Sequence, residues 1–295
     1  MGRGFHDASS AARAVFEEAS DVLGLDVARL CFDGPEPALQ LTANTQPAIL
    51  TVSVAAAAVL AERGIAPAIA AGHSLGEYSA YVVAGALAFR DAVRVVRQRG
   101  EFMQDAVPVG TGAMAALLGL ALPIVEEICR EAAHGEVVDV ANVNSPAQIV
   151  VAGHKGAVER AVALAAGRGG KRSVLLPVSA PFHSRLMAPA AERLGAVLAD
   201  VSTTPPRVPV VRNVDAGLTT GHADVVPFLV RQVTAPVRWT DCVRRMAAEG
   251  VTTLVEVGPG RVLTGLLKRI DPALTGMAVE DPAGLEKLAS GLGAV

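Results

Sequence analysis

Residues Ala70-Ala71-Gly72-His73-Ser74-Leu75-Gly76-Glu77-Tyr78 place a lone serine between two glycines, where a short apolar run passes into a helical pattern. This is the spacing of a G-x-S-x-G nucleophile elbow. A strand turns sharply into a helix, glycines permit the close backbone approach, and the serine hydroxyl stands above the helix N-terminus. There, free N–H groups and the helix dipole favour a developing oxyanion. The same letters also fit a plain tight turn in a chain that carries 29 glycines, so the rest of the sequence has to decide between the two.

The length of 295 residues allows one large domain, or a large domain carrying a smaller insert. With 51% hydrophobic but only 3% aromatic residues, the core must be built from Ala, Val and Leu. A net charge of -3 argues against a general nucleic-acid binder. Cys31, Cys129 and Cys242 are far apart and odd in number. They form neither a metal pattern nor a disulfide framework, so a reducing, cytoplasmic setting is expected. The opening Met1-Gly2-Arg3-Gly4-Phe5-His6 has no apolar signal core. The expected protein is soluble, without membrane association, and monomeric.

In chain order, Asp7 to Leu23 reads as an amphipathic outer helix, with Val15, Phe16, Ala19 and Val22 on one side. Pro47, placed at a first helical position, opens the apolar run Ala48 to Ala61, which is shorter than the roughly 20 residues a bilayer requires. It is expected to be a buried core helix. A strand over Ala68 to Gly72 leads to the elbow and its helix, and Asp91 is expected to cap a helix reaching Ala106. In that helix Arg99 falls in the stripe Ala92, Val95, Val96, Phe102, Met103 and Ala106. A guanidinium on a buried face needs an anion. Either one of the chain's own acids supplies it, or a substrate carboxylate held bidentately does.

From Gly112 the pattern becomes strand (113–119), helix (123–133), strand (137–142), strand (148–152), helix (157–166) and strand (173–178), the βαββαβ order of a ferredoxin-like unit. Asn144-Ser145-Pro146 is expected to form its central turn. The domain boundaries follow: residues 1–108 and 181–295 form the large domain, and 109–180 form the insert. Beyond it Pro181-Phe182-His183 precedes a helix over Ser184 to Leu198, and His183 sits at a domain boundary, where cleft residues tend to lie. His73 is the rival base, but it adjoins the serine along the strand and should face the other way. Strands at 208–213 and 253–257 return the chain to the large domain, so a parallel sheet with the site at its carboxyl ends is expected.

Together these motifs closely resemble the malonyl-CoA:acyl carrier protein transacylases. The resemblance is carried by Thr45-Gln46-Pro47-Ala48, by Gly72 to Ala80, by Arg99-Gly100 with Met103-Gln104, and by Asn142-Val143-Asn144-Ser145-Pro146. It continues through Phe182-His183, Val230-Arg231-Gln232 with Pro236-Val237-Arg238-Trp239, and Glu256-Val257-Gly258-Pro259-Gly260. It implies an α/β-hydrolase-like large domain with a ferredoxin-like insert, Ser74 as nucleophile and His183 as base. Arg99 corresponds to the residue that grips the malonyl carboxylate, and the Gln232 carbonyl to the group that orients the histidine. The Leu75 N–H corresponds to an oxyanion donor. Gln46 and Asn144 are placed at the substrate, and Phe182 fills the space a branched acyl group would need. Malonyl-CoA is the implied substrate, acyl carrier protein bearing phosphopantetheine the implied partner, and no bound cofactor or metal is implied. Lys171, Arg172, Arg185, Lys268 and Arg269 are basic residues expected to flank the cleft where an acidic carrier could dock.

Members of that family carry a further strand and a G-Q-G-x-Q loop ahead of the segment corresponding to Met1-Gly2, and the loop supplies a second oxyanion N–H. The sequence here begins after it, which leads to the expectation of a sheet one parallel strand short and an oxyanion hole with one donor. Such a loss is worth roughly 10²- to 10³-fold in rate. Two further readings therefore stand beside the transferase: a serine esterase or thioesterase, which would normally place an acid behind the histidine, and an impaired paralogue acting as a binding protein.

Overall fold

The computed structural model describes residues 1–178 and 180–292. Its core is helical around one long element, Thr42–Glu62. That helix starts before the position expected from Pro47, which lies inside it. A proline there cannot donate to the Ala43 carbonyl, and the Arg97 guanidinium takes over that acceptor at 3.3 Å. At 21 residues the helix is also longer than expected, enough by length and composition to cross a membrane, yet more than half of its apolar window is buried within the fold. Ala48, Leu50, Val52 and Ala55 share one core with Phe16 and Ala19 of the helix Ser10–Leu23 and with Val95 and Val96 of the helix Phe89–Asp105.

Local capping accounts for other departures from the sequence reading. The expected helix from Asp7 is broken in two, Arg3–Ala8 and Ser10–Leu23, because extended Ser9 turns the chain and accepts the Ala12 N–H at 3.1 Å. Asp91 is not a cap. The helix starts at Phe89, and Asp91 accepts from Arg94 at 2.7 Å instead. The segment after His183 opens as a 3₁₀ turn, Arg185–Met187, and continues as the helix Ala188–Ala199, with Pro189 in its first turn.

The strands of the large part are short. Ala70–Ala71 pairs in parallel with Val210–Val211, and Thr253–Val257 in parallel with Thr275–Val279. Leu218–Thr219 adds an antiparallel edge to Val210–Val211, since the Arg212 N–H bonds the Gly217 carbonyl and turns the chain back. The parallel ladders among the described strands thus form two groups instead of the single sheet expected.

Residues 112–175 build a separate four-stranded antiparallel sheet. Its spatial order is 138–145, 148–154, 112–118, 172–175, with helices Leu122–Ala133 and Lys155–Gly167 crossing between strands. This is the ferredoxin-like arrangement read from the sequence. Leu117, Ile128, Ile149, Val151 and Val158 form a core of its own. Asn144 is not in the central turn. The strand Val138–Ser145 runs through it, with register shifts on either side of Val143. That strand is hydrogen-bonded to the large part through Val143 N–H to Val237 O (2.8 Å) and Val237 N–H to Ala141 O (2.9 Å).

The elbow depends on one of its two glycines. A Cβ at Gly72 would fall onto the Gly76 carbonyl group and 2.6 Å from Glu77 N, whereas at Gly76 it would meet nothing within 4 Å. Gly72→Ala should therefore cost about 3 kcal/mol or more by overpacking, and Gly76→Ala should be close to neutral. Denaturant unfolding of the two variants checks this, and equal stabilities would contradict it.

Candidate active site

Ser74 sits between Ala70–Ala71 and the helix Gly76–Val83 with φ of 52°, in the left-handed region that a non-glycine residue occupies only when its surroundings hold it there. Asn213 supplies the hold. It lies just past Val210–Val211, at the carboxyl ends of the parallel pair, where its Oδ1 accepts the Ser74 N–H at 2.7 Å and its Nδ2 donates to Gly72 O at 2.7 Å. The Ser74 hydroxyl then lies 2.7 Å from His183 Nε2. His183 also has positive φ, 59°, and its Nδ1 is 2.9 Å from the Gln232 main-chain oxygen. A carbonyl can only accept, so Nδ1 carries the proton and Nε2 is free to take one from serine. The group behind the histidine is a peptide carbonyl, not a carboxylate.

The Leu75 N–H opens the elbow helix and donates to no described group. Arg99 reaches the same place from the helix Phe89–Asp105 and is 2% exposed, as its place in the apolar stripe requires. Nη2 lies 3.2 Å from Ser74 Oγ and 2.9 Å from Gln232 Oε1, and Nη1 lies 2.7 Å from Gln46 Oε1. Among the described residues these partners are neutral oxygens, Nε has none, and the ring of Tyr78 lies 5.5 Å from the guanidinium carbon. A cation with spare donors beside a nucleophilic oxygen can receive an anionic group attached to that oxygen.

The other expected substrate residues are placed less directly. Gln46 touches Arg99. Asn144 Oδ1 accepts from His73 Nε2 at 2.8 Å, and the His73 ring packs near Trp239, so His73 faces the small sheet and is not bonded to the serine. Phe182 packs against the apolar cluster that includes Met114, Ala116 and Val150 of that sheet.

Residues 1–284 match the family model for the acyl transferase domain. Over 271 residues the chain is 53% identical to the malonyl CoA-acyl carrier protein transacylase of Escherichia coli K12, covering 92% of this chain and 88% of that protein. It is 46% identical over 287 residues to the enzyme of the same name from Bacillus subtilis, covering 97% and 90%. The chain belongs to this transacylase family. Solved structures agree: an acyl carrier protein S-malonyltransferase from Vibrio cholerae superposes with a TM-score of 0.96 at 48% identity, covering 98% of this chain and 94% of that one. A malonyl-transacylase solved in complex with a type II polyketide acyl-carrier protein gives 0.96 at 46% identity, covering 99% and 94%.

Two buried residues of this transacylase-family site carry no role in the sequence reading. Asn213 appeared there only as a strand end, and Glu77 only as a letter of the elbow motif. The one available clue was position, a carboxyl strand end and the first turn of the elbow helix. Glu77 Oε2 accepts from Gln232 Nε2 (2.7 Å) and the Asn213 N–H (3.1 Å).

Burial acts in opposite directions on the two titrating groups. It pushes the Glu77 carboxyl up to about 7, against the pull of its hydrogen bonds and of Arg99 and Arg212. It pushes His183 down to about 3, helped by the Arg99 charge. His73 is held low by burial as well. The Glu77 shift contributes stability that is present below about 4.5 and lost as pH rises through about 7. The His183 shift contributes stability that is present above 6.5 and lost as pH falls toward about 3. Between 4.5 and 6.5 the Glu77 slope opposes that of His183, to which the lowered His73 adds. Glu77→Gln removes the Glu77 slope, so the variant should lose about 1.4 kcal/mol per pH unit more than the parent as pH falls through that window. Unfolding midpoints across the window measure it, and parallel curves would contradict the assignment.

Proposed function

We propose that this chain is an [acyl-carrier-protein] S-malonyltransferase of fatty acid biosynthesis. It would move a malonyl group from malonyl-CoA to the phosphopantetheine thiol of acyl carrier protein through an ester on Ser74. The observation that carries this is the buried Arg99 guanidinium 3.2 Å from Ser74 Oγ, hydrogen-bonded to no carboxylate among the described residues. An ester on Ser74 Oγ with a carboxylate one methylene beyond its carbonyl would reach Arg99, and an acetyl ester would leave the cation unmatched. His183 takes the serine proton as Oγ attacks the thioester carbonyl. The Leu75 N–H stabilises the oxyanion, and the tetrahedral intermediate collapses with CoA leaving as the thiol, protonated by His183. The carrier's thiol then gives its proton to His183 and reverses the sequence. Because Gln232 O already orients His183, no acid is needed behind it, which favours transfer over the esterase reading.

The chemistry described uses no metal or cofactor beyond the group the carrier brings. We read the catalyst as a monomer, and three buried free cysteines suit the cytoplasm. Residues 1–108 with 181–295 form the proposed catalytic domain and 109–180 the insert that walls it, a division supported by the insert's separate core.

Ser74→Ala should abolish the covalent malonyl adduct, and His183→Ala should slow its formation by about 10²-fold or more. Arg99→Ala should depress malonyl transfer while relatively improving acetyl transfer. Mass spectrometry after incubation with malonyl-CoA or acetyl-CoA reads all three. A malonylated Ser74→Ala chain would defeat the serine assignment, and an unchanged malonyl preference in Arg99→Ala would make that residue structural.

For the carrier, Arg185 is already engaged, its guanidinium bonded to Asp139 at 2.9–3.1 Å. Exposed Lys268 is the better docking charge. Lys268→Glu should slow transfer to the carrier at low salt and leave transfer to free pantetheine unchanged. Equal effects on both acceptors would remove it from the docking surface.

A further inference from the structure

We propose that Glu77 is the positioning residue of this site, holding nucleophile, base and acyl-binding cation in register through one carboxylate oxygen. The inference rests on the transferase reading given above. Glu77 is 1% exposed, and Gln232 and Asn213 are 0% exposed, so none of the three has water to fall back on. Oε2 accepts both the Gln232 amide and the Asn213 main-chain N–H, while Oε1 has no partner among the described residues. A carboxylate buried with half its capacity unused is not there as a generic solubilising group. Its work is concentrated on the two donors.

Each donor leads to a different part of the chemistry. Asn213, fixed by its own N–H, turns its side chain to clamp both Ser74 N–H and Gly72 O, which holds the serine in its positive-φ conformation. Gln232 Nε2 uses one hydrogen on Glu77 and the other on Ser74 O at 2.9 Å, which leaves Oε1 pointing at Arg99 Nη2. A side-chain amide can rotate by half a turn at no intrinsic cost. Oε2 of Glu77 acts with Ser74 O, both accepting from Nε2, against the turned state, in which the NH₂ would face the guanidinium and Arg99 would lose an acceptor. The main chain of Gln232 meanwhile holds His183 Nδ1. One oxygen thereby orients the acceptor that aims Arg99, the clamp on Ser74 and the residue behind His183.

What the network needs at this point is an acceptor oxygen, and negative charge is secondary. Arg99, Arg212, Tyr78, Tyr81 and Cys242 are the titratable groups that sense Glu77, and burial already disfavours its ionised form. Glu77→Gln retains an oxygen for both donors and Glu77→Ala does not. The two substitutions therefore separate positioning from charge.

The test follows esterification of Ser74 by malonyl-CoA and by acetyl-CoA in the parent chain, Glu77→Ala, Glu77→Gln and Asn213→Ala, with thermal unfolding of each. Glu77→Ala should form the malonyl ester about 10- to 100-fold more slowly, with a reduced malonyl-to-acetyl preference. Glu77→Gln should stay within about fivefold of the parent and keep the preference. Asn213→Ala, which removes the serine clamp and otherwise only a long 3.4 Å contact with Gln232 Nε2, should slow both acyl groups alike without changing the preference, and it stands in if Glu77→Ala does not fold. A folded Glu77→Ala chain with the parent's rate and preference overturns the proposal. So does Glu77→Gln impaired as severely as Glu77→Ala, which would make the charge essential, and so does an altered preference in Asn213→Ala. A parent chain that takes no malonyl group at Ser74 instead overturns the transferase reading and this inference with it.

Discussion

The site is organised by a guanidinium kept out of water. Arg99 is 2% exposed on a helix whose remaining inward face is aliphatic and aromatic, and a cation there has to be hydrogen-bonded or it would not stay charged. Amide oxygens of Gln46 and Gln232 and the serine hydroxyl satisfy part of it. Neutral partners solvate the charge without cancelling it. A carboxylate in their place would have closed the site as a structural ion pair.

Keeping that cation uncancelled places demands on everything around it. Gln232 must present oxygen to Arg99 and nitrogen to Ser74 O, and its main chain must present oxygen to His183, which ties the end of the helix Val225–Gln232 to the elbow and to the histidine loop. His183 in turn lies near a fixed positive charge in a dry environment, so it rests neutral. The Ser74 backbone is held against its conformational preference by an asparagine just past the strand Val210–Val211. The strained Ser74 backbone is held by buried hydrogen bonds from segments far apart in the chain, whereas burial and the Arg99 charge depress the basicity of His183 against the pull of its bond to Gln232 O.

The small antiparallel sheet meets this centre from one side. It has its own apolar core, and its strand Val138–Ser145 is joined by main-chain bonds to Val237, two residues before Trp239. Asn144 holds His73 there, and Phe182, the residue before the histidine, packs against an apolar cluster of the sheet. The elbow and the histidine loop are thus both seated against the insert. This gives the sheet a structural claim on the geometry of the site besides any part it plays as a wall.

Much of this was legible in the sequence because it is local or periodic. A G-x-S-x-G spacing encodes an elbow, and a 3.6-residue stripe interrupted by one arginine encodes a buried cation. The βαββαβ order of alternating segments encodes a sheet whose strand order then follows. The lengths and ends of elements were less legible, since they are decided by partners elsewhere: Arg97 relieving the Ala43 carbonyl lets a helix run through Pro47, and Ser9 divides a periodic segment in two. Asn213 and Glu77 could not be read at all. A polar residue at a strand end and a glutamate in a first helical turn each have ordinary surface explanations, and only folding buries them together. Sequence alone determined which residue types the site contains. Tertiary structure decided which hydrogen-bond partner each one faces, because those partners lie up to 158 positions away along the chain and meet only when water has been excluded between them.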